Sequence, residues 1–278
     1  MSGAKSVRAD LHTHSTASDG MDSPAALVSL ASERGVSVLA LTDHDTVGGV
    51  AEASDAASVA GLEFIPGVEF SIRARRGQTH ILGYGIDVEN DRLTVELKSL
   101  REGRETRSSK ILERLRSLGI EIPEGAVTTG EPGHAPGRPH IARALMDIGA
   151  VSSVSEAFER YLAVGRPAFV PRRTLGAGEA IEIIHEAGGL AVLAHPLSVH
   201  QLDDTLPLLV EAGLDGIEIY YAEYDQDQRR SLANRASAYN LLSTGGSDYH
   251  GDLNHADRVL GSVTWPEEAL EVIVKHLK

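Results

Sequence analysis

The most constraining feature of the sequence is a rhythm. Short apolar runs ending in histidine or aspartate alternate with helix-like segments. VSVLALT closes on Asp43-His44-Asp45, LAVLAHP on His195, and LLSTGGSDYHG delivers Asp248 and His250. Runs of this length suit strands buried on both faces. The intervening segments carry helix punctuation. Ser23 and Pro24 precede AALVSLASER and Gly35 follows it: an N-cap, a first-turn proline and a terminal glycine. A second helix is expected from about Val47 to Val59, closed by Gly61. About seven strands alternating with helices imply an α/β fold with a parallel sheet. Chemistry at strand C-termini is the habit of α/β barrels, so a closed or distorted β/α barrel leads. An open doubly wound sheet is the alternative.

The first strand end is the densest. Val7 to Leu11 leads into HTHSTASDG, with His12 and His14 two residues apart. On a strand, residues i and i+2 face the same side, so two imidazoles aim at one point. Asp19 follows in a turn-like Ser-Asp-Gly and can fold back toward them. Two histidines and a carboxylate suit Zn, Mn or Fe rather than Ca. LEFIPGVEF ends in Glu69, and THILGYGI carries His80. Six of the twelve histidines fall at such strand positions, a pattern that core or surface histidines have no reason to follow. His134, His185, His200, His255 and His276 match no such position and read as surface residues. Asp43 reads either as a carboxylate orienting a metal-bound histidine or as a helix N-cap; Asp45 reads as a cap.

From about Leu97 to Pro171 the texture changes to helices with polar faces and no histidine-bearing strand end. We expect a barrel formed by residues 1–98 and 172–278, with a helical insertion, 99–171, as a cap. With no cysteine, disulfides and thiolate sites are excluded. The formal net charge of −14 argues against broad binding to a nucleic-acid backbone, and so against stable DNA binding. It permits a small anionic substrate where bound cations reverse the field. No apolar run approaches the roughly 20 residues of a membrane span, and the N-terminus lacks a signal-peptide core, so a cytoplasmic protein is expected.

In order, the pieces HTH, TDHD, GVE, H-I-x-G, AHP and SDxH resemble the PHP (polymerase and histidinol phosphatase) superfamily, from Asp10 to about Gly251 outside the insertion. HTHSTASDG, LTDHDT, KSLREGR and GRPHIAR resemble its stand-alone metal-dependent phosphoesterases, a branch that includes 3′,5′-nucleotide bisphosphate phosphatases. The resemblance implies a distorted seven-stranded β/α barrel holding two or three divalent ions (Mn, Fe or Zn). His12, His14, Glu69 and Asp248 would hold the first, Glu69, His80 and His195 the second, and Asp19, His44 and His250 the third. It implies hydrolysis of a nucleotide phosphate monoester, such as a 3′-phosphate, by a metal-bridging hydroxide. Arg138 and His140 would contact phosphate as catalytic groups, and Arg101 and Arg104 would lie near the nucleotide. The alternatives are 5′-to-3′ exonuclease action on short RNA ends or a histidinol-phosphate-type phosphatase. A metal module without catalysis would be expected to have lost ligands; here every matched position is filled.

Overall fold

The computed structural model describes residues 6–73, 79–123, 125–127, 136–171, 174–251 and 257–277. Strands β1 (Ser6–Asp10), β2 (Val38–Leu41) and β3 (Glu63–Ile72) are parallel, with α1 (Pro24–Glu33) and α2 (Val50–Ala60) as crossovers. β4 (Thr79–Tyr84) runs antiparallel both to β3 and to β5 (Leu190–Leu193). The parallel order resumes through β5, β6 (Gly216–Tyr221) and β7 (Leu242–Gly246), with α7 (Leu202–Glu211) and α8 (Gln226–Tyr239) between them. α6 (Ala177–Glu186) precedes β5, and β8 (Thr264–Pro266) pairs antiparallel with β1 before α9 (Glu267–His276).

The sheet order is β7-β6-β5-β4-β3-β2-β1-β8. It is therefore mixed, with eight strands, where an all-parallel sheet of about seven was expected. The reason lies in chain length. Six residues separate Ile72 from Thr79, whereas a parallel crossover needs a dozen or more. A hairpin is the available solution, and it brings the start of β4 beside the ends of its neighbours. β8 escapes the sequence pattern because it is three residues long and ends in proline. Its Trp265 is buried, donates from Nε1 to Ala9 O at 3.0 Å and stacks on Tyr220.

The sheet curls until its far strands meet. Leu11 N–H donates to Gly245 O, Asp248 N–H to His12 O and His14 N–H to Tyr249 O. This nearly closes the barrel and excludes the open doubly wound sheet. Gly246 is required at that seam, because a Cβ there would lie 2.4 Å from His12 N. Alternate residues of the strands fill the interior, among them Leu11, Val38, Leu82, Tyr84 and Val192. The other strand faces pack on helices.

Local signals decide the helix ends. Ser23 caps α1 by accepting from Ala26 N, and Gly35 closes it at φ +69°. α2 starts at Val50, three residues later than expected, behind Gly49, which offers no side-chain cap. Asp45 is therefore not a cap, and neither is Asp43. Among the described residues no helix is long and apolar enough to cross a membrane.

A second core lies apart from the barrel. α3 (Asp91–Ser117) serves both. Its Leu93, Leu97 and Leu100 pack on the barrel side, and Ile111 and Leu115 join Ile141 and Leu145 of α4 (Arg138–Asp147). α5 (Val154–Ala157) runs into one π-helical turn, Phe158–Leu162, beside them. Between the two apolar ends of the α3 stripe, at the same helical spacing, stand Arg104 and Arg107.

Candidate metal centre

All nine ligand candidates named from the sequence converge at one end of the barrel. His12 and His14 leave β1. His44 follows β2 and is set opposite Glu69 of β3 by its neighbours: Glu69 N–H donates to Asp43 O, and Asp45 N–H donates to Glu69 O. His80 opens β4, whose antiparallel course brings its N-terminus to the rim. His195 follows β5, and Asp248 and His250 follow β7. Asp19 arrives on the loop after β1. That loop is fixed by Asp43, which accepts from Ser15 N, Ser15 Oγ and Ser18 Oγ at 2.6–2.7 Å. Asp43 thus shapes the loop rather than orienting a histidine. Burial pushes its carboxyl up to about 6.

Glu69 stands at the centre. Its Oε1 lies 2.8 Å from His80 Nδ1, 3.2 Å from His195 Nε2 and 3.5 Å from His12 Nε2. Its Oε2 lies 2.8 Å from His44 Nδ1 and 3.4 Å from His14 Nε2. Asp248 Oδ1 is 3.1 Å from His14 Nε2, and Asp19 Oδ1 is 3.3 Å from His250 Nε2. His80 and His195 hydrogen-bond Glu69 Oε1; other atoms of the cluster find no such partner. His12 Nε2, both nitrogens of His14, His44 Nδ1, Asp19 Oδ1 and Glu69 Oε2 are buried without a hydrogen-bond partner. Orphaned buried polar atoms are expensive, and a divalent cation is the ligand that would satisfy a converging set of nitrogens and carboxylate oxygens. Three overlapping groups have the spacing to hold one: His14-Asp19-His44-His250, His12-His14-Glu69 and His44-Glu69-His80.

The donor set is electrostatically coupled: against burial, neighbouring carboxylates raise His12, His44 and His250, the last to about 9. Burial alone would raise Glu69, but His44, His80 and His12 hold it well below the usual carboxylate range. Burial, followed by neighbouring His250 and His44, pushes His14 down to about 3, leaving it neutral as a ligand must be.

Several partners were not read from the sequence. Glu218 Oε1 lies 3.1 Å from His12 Nδ1, and its Oε2 accepts from His195 N at 2.7 Å. This carboxylate–imidazole contact orients His12. Its signal was legible: in DGIEIYY an acid occupies an inward strand position among apolar residues, and buried acids need partners. Ser198 Oγ, 2.8 Å from His195 Nδ1, plays the same part there. Strain marks the site too. Asp45, His195 and Asp248 all have positive φ, unusual for non-glycine residues.

Over the ligands lies a cavity of about 650 Å³, walled by Arg104 and Arg107 of α3, Arg138 of α4 and, on the barrel side, Arg258. Arg104 pairs with Asp45 and reaches His44 O. Arg107 Nε donates to Val170 O at 2.7 Å. Arg138 lies over the rings of Phe158 and Phe169 and donates to Leu162 O. His140 is buried one turn into α4 and accepts Gly137 N–H on Nδ1 at 3.1 Å. Arg101 lies in a smaller cavity of about 280 Å³ that shares His44 and Arg104 with the main one. His185, His200 and His276 are exposed; His134 and His255 lie outside the described residues.

Barrel, ligand set and arginine wall define a class: β/α-barrel proteins with a nitrogen–oxygen metal centre at the rim. The PHP domain model matches residues 10–118. The chain is 40% identical over 253 residues to a 5′-3′ exoribonuclease of Haemophilus influenzae, covering 87% of this chain and 89% of that one. It is 38% identical to a 3′,5′-nucleoside bisphosphate phosphatase of Chromobacterium violaceum, covering 87% and 86%. The structure of a candidate metal-dependent phosphoesterase from Bifidobacterium adolescentis superposes with a TM-score of 0.87 at 29% identity, covering 98% and 97%. The chain belongs to the PHP family of metal-dependent phosphoesterases.

Proposed function

We propose that the chain hydrolyses a phosphate monoester of a small nucleotide, the 3′-phosphate of a nucleoside 3′,5′-bisphosphate. One observation carries this reading: buried, unpartnered nitrogens and carboxylate oxygens form the floor of a cavity whose walls are arginine. The name of the Chromobacterium violaceum relative supplies the substrate class. His12, His14, Glu69 and Asp248 are the ligands of a first divalent ion, Glu69, His80 and His195 of a second, Asp19, His44 and His250 of a third. Two or three ions of Mn, Fe or Zn type suit these donors. Bound there, they supply Lewis-acid polarisation of the phosphate and activation of water at neutral pH.

The chain's own groups do the rest. Segment 99–171 acts as a cap over residues 1–98 and 172–278, favouring a small or terminal substrate over an internal position in a long chain. The Arg138 guanidinium, oriented by two aromatic rings, can fork onto two phosphate oxygens. His140 contributes in one tautomer. Because Gly137 N–H donates to Nδ1, the ring proton sits on Nε2. Burial also lowers its pKa to about 4. A neutral imidazole in this state gives a hydrogen bond to an anionic oxygen; it does not give up a proton, so the leaving group takes its proton from water.

A second reading is 5′-to-3′ removal of nucleotides from short RNA. It is favoured by the smaller cavity, where Lys98 and Arg101 extend the basic wall past Arg104, and by the name of the Haemophilus influenzae relative. The test is phosphate release from adenosine 3′,5′-bisphosphate with and without Mn²⁺, run beside histidinol phosphate, AMP and a 5′-phosphorylated RNA. Fast, chelator-sensitive release of the 3′-phosphate is expected. Mononucleotides from the RNA alone would instead establish the second reading, and silence on all four would sink both.

A further inference from the structure

The two oxygens of Asp248 have different surroundings. Oδ1 faces imidazole nitrogens of His14, His12 and His250 at 3.1, 3.4 and 3.6 Å. Oδ2 turns away and is saturated: Tyr221 Oη donates to it at 2.8 Å and Arg258 donates at 2.6 Å. Both donors are themselves held. Arg258 Nε donates to Glu223 at 2.8 Å, and its guanidinium lies over the Tyr221 ring. Tyr221, the last residue of β6, is buried and packs its ring against those of His12 and His195. Asp248 sits at φ +54°, in the left-handed region that few residues other than glycine adopt.

We infer that Arg258 and Tyr221 are positioning residues that occupy Oδ2 of Asp248, so that this carboxylate offers the metal centre a single oxygen, Oδ1. The inference rests on the metal-centre reading above. It separates two roles that a cavity arginine could have. Arg258 lines the cavity, and the plain expectation for such a residue is contact with the substrate anion. Its geometry is otherwise engaged, with one arm on Asp248 and Nε on Glu223. The sign of the effect on metal affinity discriminates further. A nearby cation repels a metal ion, so removing the Arg258 charge should tighten metal binding if electrostatics alone mattered. If Arg258 instead holds the ligand in place, removing it should weaken binding, by roughly 10- to 100-fold as for other groups that orient metal ligands.

The experiment is Mn²⁺ titration by calorimetry of the full chain, stripped with chelator, as wild type, Tyr221→Phe, Arg258→Lys and Arg258→Gln. Tyr221→Phe removes one hydroxyl at constant packing, so it reports even where an Arg258 variant fails to fold. We expect weaker Mn²⁺ binding in Tyr221→Phe and Arg258→Gln, partial rescue in Arg258→Lys, and recovery of turnover at saturating Mn²⁺. Unchanged or tighter binding in both Tyr221→Phe and Arg258→Gln would overturn the inference, and lost turnover at saturating Mn²⁺ would assign Arg258 to the substrate instead. A wild-type chain that takes up no Mn²⁺ would overturn the metal-centre reading itself, an outcome the wild-type titration reveals on its own.

Discussion

The barrel rim and the helical segment proposed as a cap line one cavity, yet most of their polar groups are held in opposite states. At the rim, His12 Nε2, both His14 nitrogens, His44 Nδ1, Asp19 Oδ1 and Glu69 Oε2 are buried without hydrogen bonds. In the cap, each arginine on the wall already has a partner: Arg104 has Asp45, Arg107 has Val170 O, and Arg138 has Leu162 O and two rings. Unsatisfied groups on strand ends cannot relax, because the sheet fixes their backbone; they are completed by something from outside. Satisfied groups on helices can trade one acceptor for another. On the function proposed above, the rim would hold cations and the α3 and α4 helices would receive an anion by exchanging partners.

The sharpest way to break that contrast is Glu69→Gln. The swap keeps volume and removes the charge that five imidazoles face. Lewis-acid assistance is worth several kcal/mol, so turnover should fall roughly a thousandfold or more at saturating substrate. Stability gives an independent readout. A metal present at 100 times its dissociation constant stabilises a fold by about 2.7 kcal/mol. Added Mn²⁺ should raise the wild-type Tm by several degrees, and this gain should shrink or vanish in the variant. Turnover within tenfold of wild type would remove Glu69 from the centre.

Leu145→Ala attacks the other side. Leu145 is fully buried in the separate cap core with Ile111, Leu115 and Ile141. Truncating a buried leucine costs about 2–5 kcal/mol. If rim and cap are independent, KM for the phosphate substrate rises while Mn²⁺ affinity stays within about twofold. A parallel fall in Mn²⁺ affinity would mean that the cap props up the ligands.

The same contrast explains what could be read from the chain. Rim residues were legible because a strand end is a local pattern: HTH, TDHD, GVE, AHP and SDYH each bring their own apolar lead. The parts that depend on distant pairing were not. β4 is antiparallel because of a short link, so His80 reaches the rim from a strand's beginning. Asp43 sits beside a ligand in sequence, yet its oxygens are spent on Ser15 and Ser18. Glu218 and Arg258, which hold His12 and Asp248, lie on other elements and share no motif with them. Arg107 was hidden because its stripe, Leu97-Leu100-Arg104-Arg107-Ile111, looks like a broken apolar face until the cavity is seen beneath the break.

The smallest expected effect on rate is also the most diagnostic for the cap. His140 stands three residues past Gly137 and takes the place usually held by Glu or Gln in a capping box. His140→Gln should therefore keep the cap, since a Gln carbonyl can accept Gly137 N–H, and should keep a donor for phosphate. Activity should stay within about tenfold, whereas loss of a general acid would cost about 10²- to 10⁴-fold. The pH dependence carries the sign. His140 in the folded chain titrates near 4, below its ordinary 6.5, chiefly because of burial. The unfolded chain thus binds the proton first as pH falls, so stability is intact above about 6.5 and is lost down to about 4. Discounted for partial solvent access, that loss is about 2 kcal/mol. Urea unfolding of wild type and His140→Gln, each stripped of metal, should differ by that margin at pH 4 relative to pH 7, the variant being the more acid-resistant. Parallel curves would mean that His140 titrates alike in the folded and unfolded chain, and that burial is not what keeps it neutral.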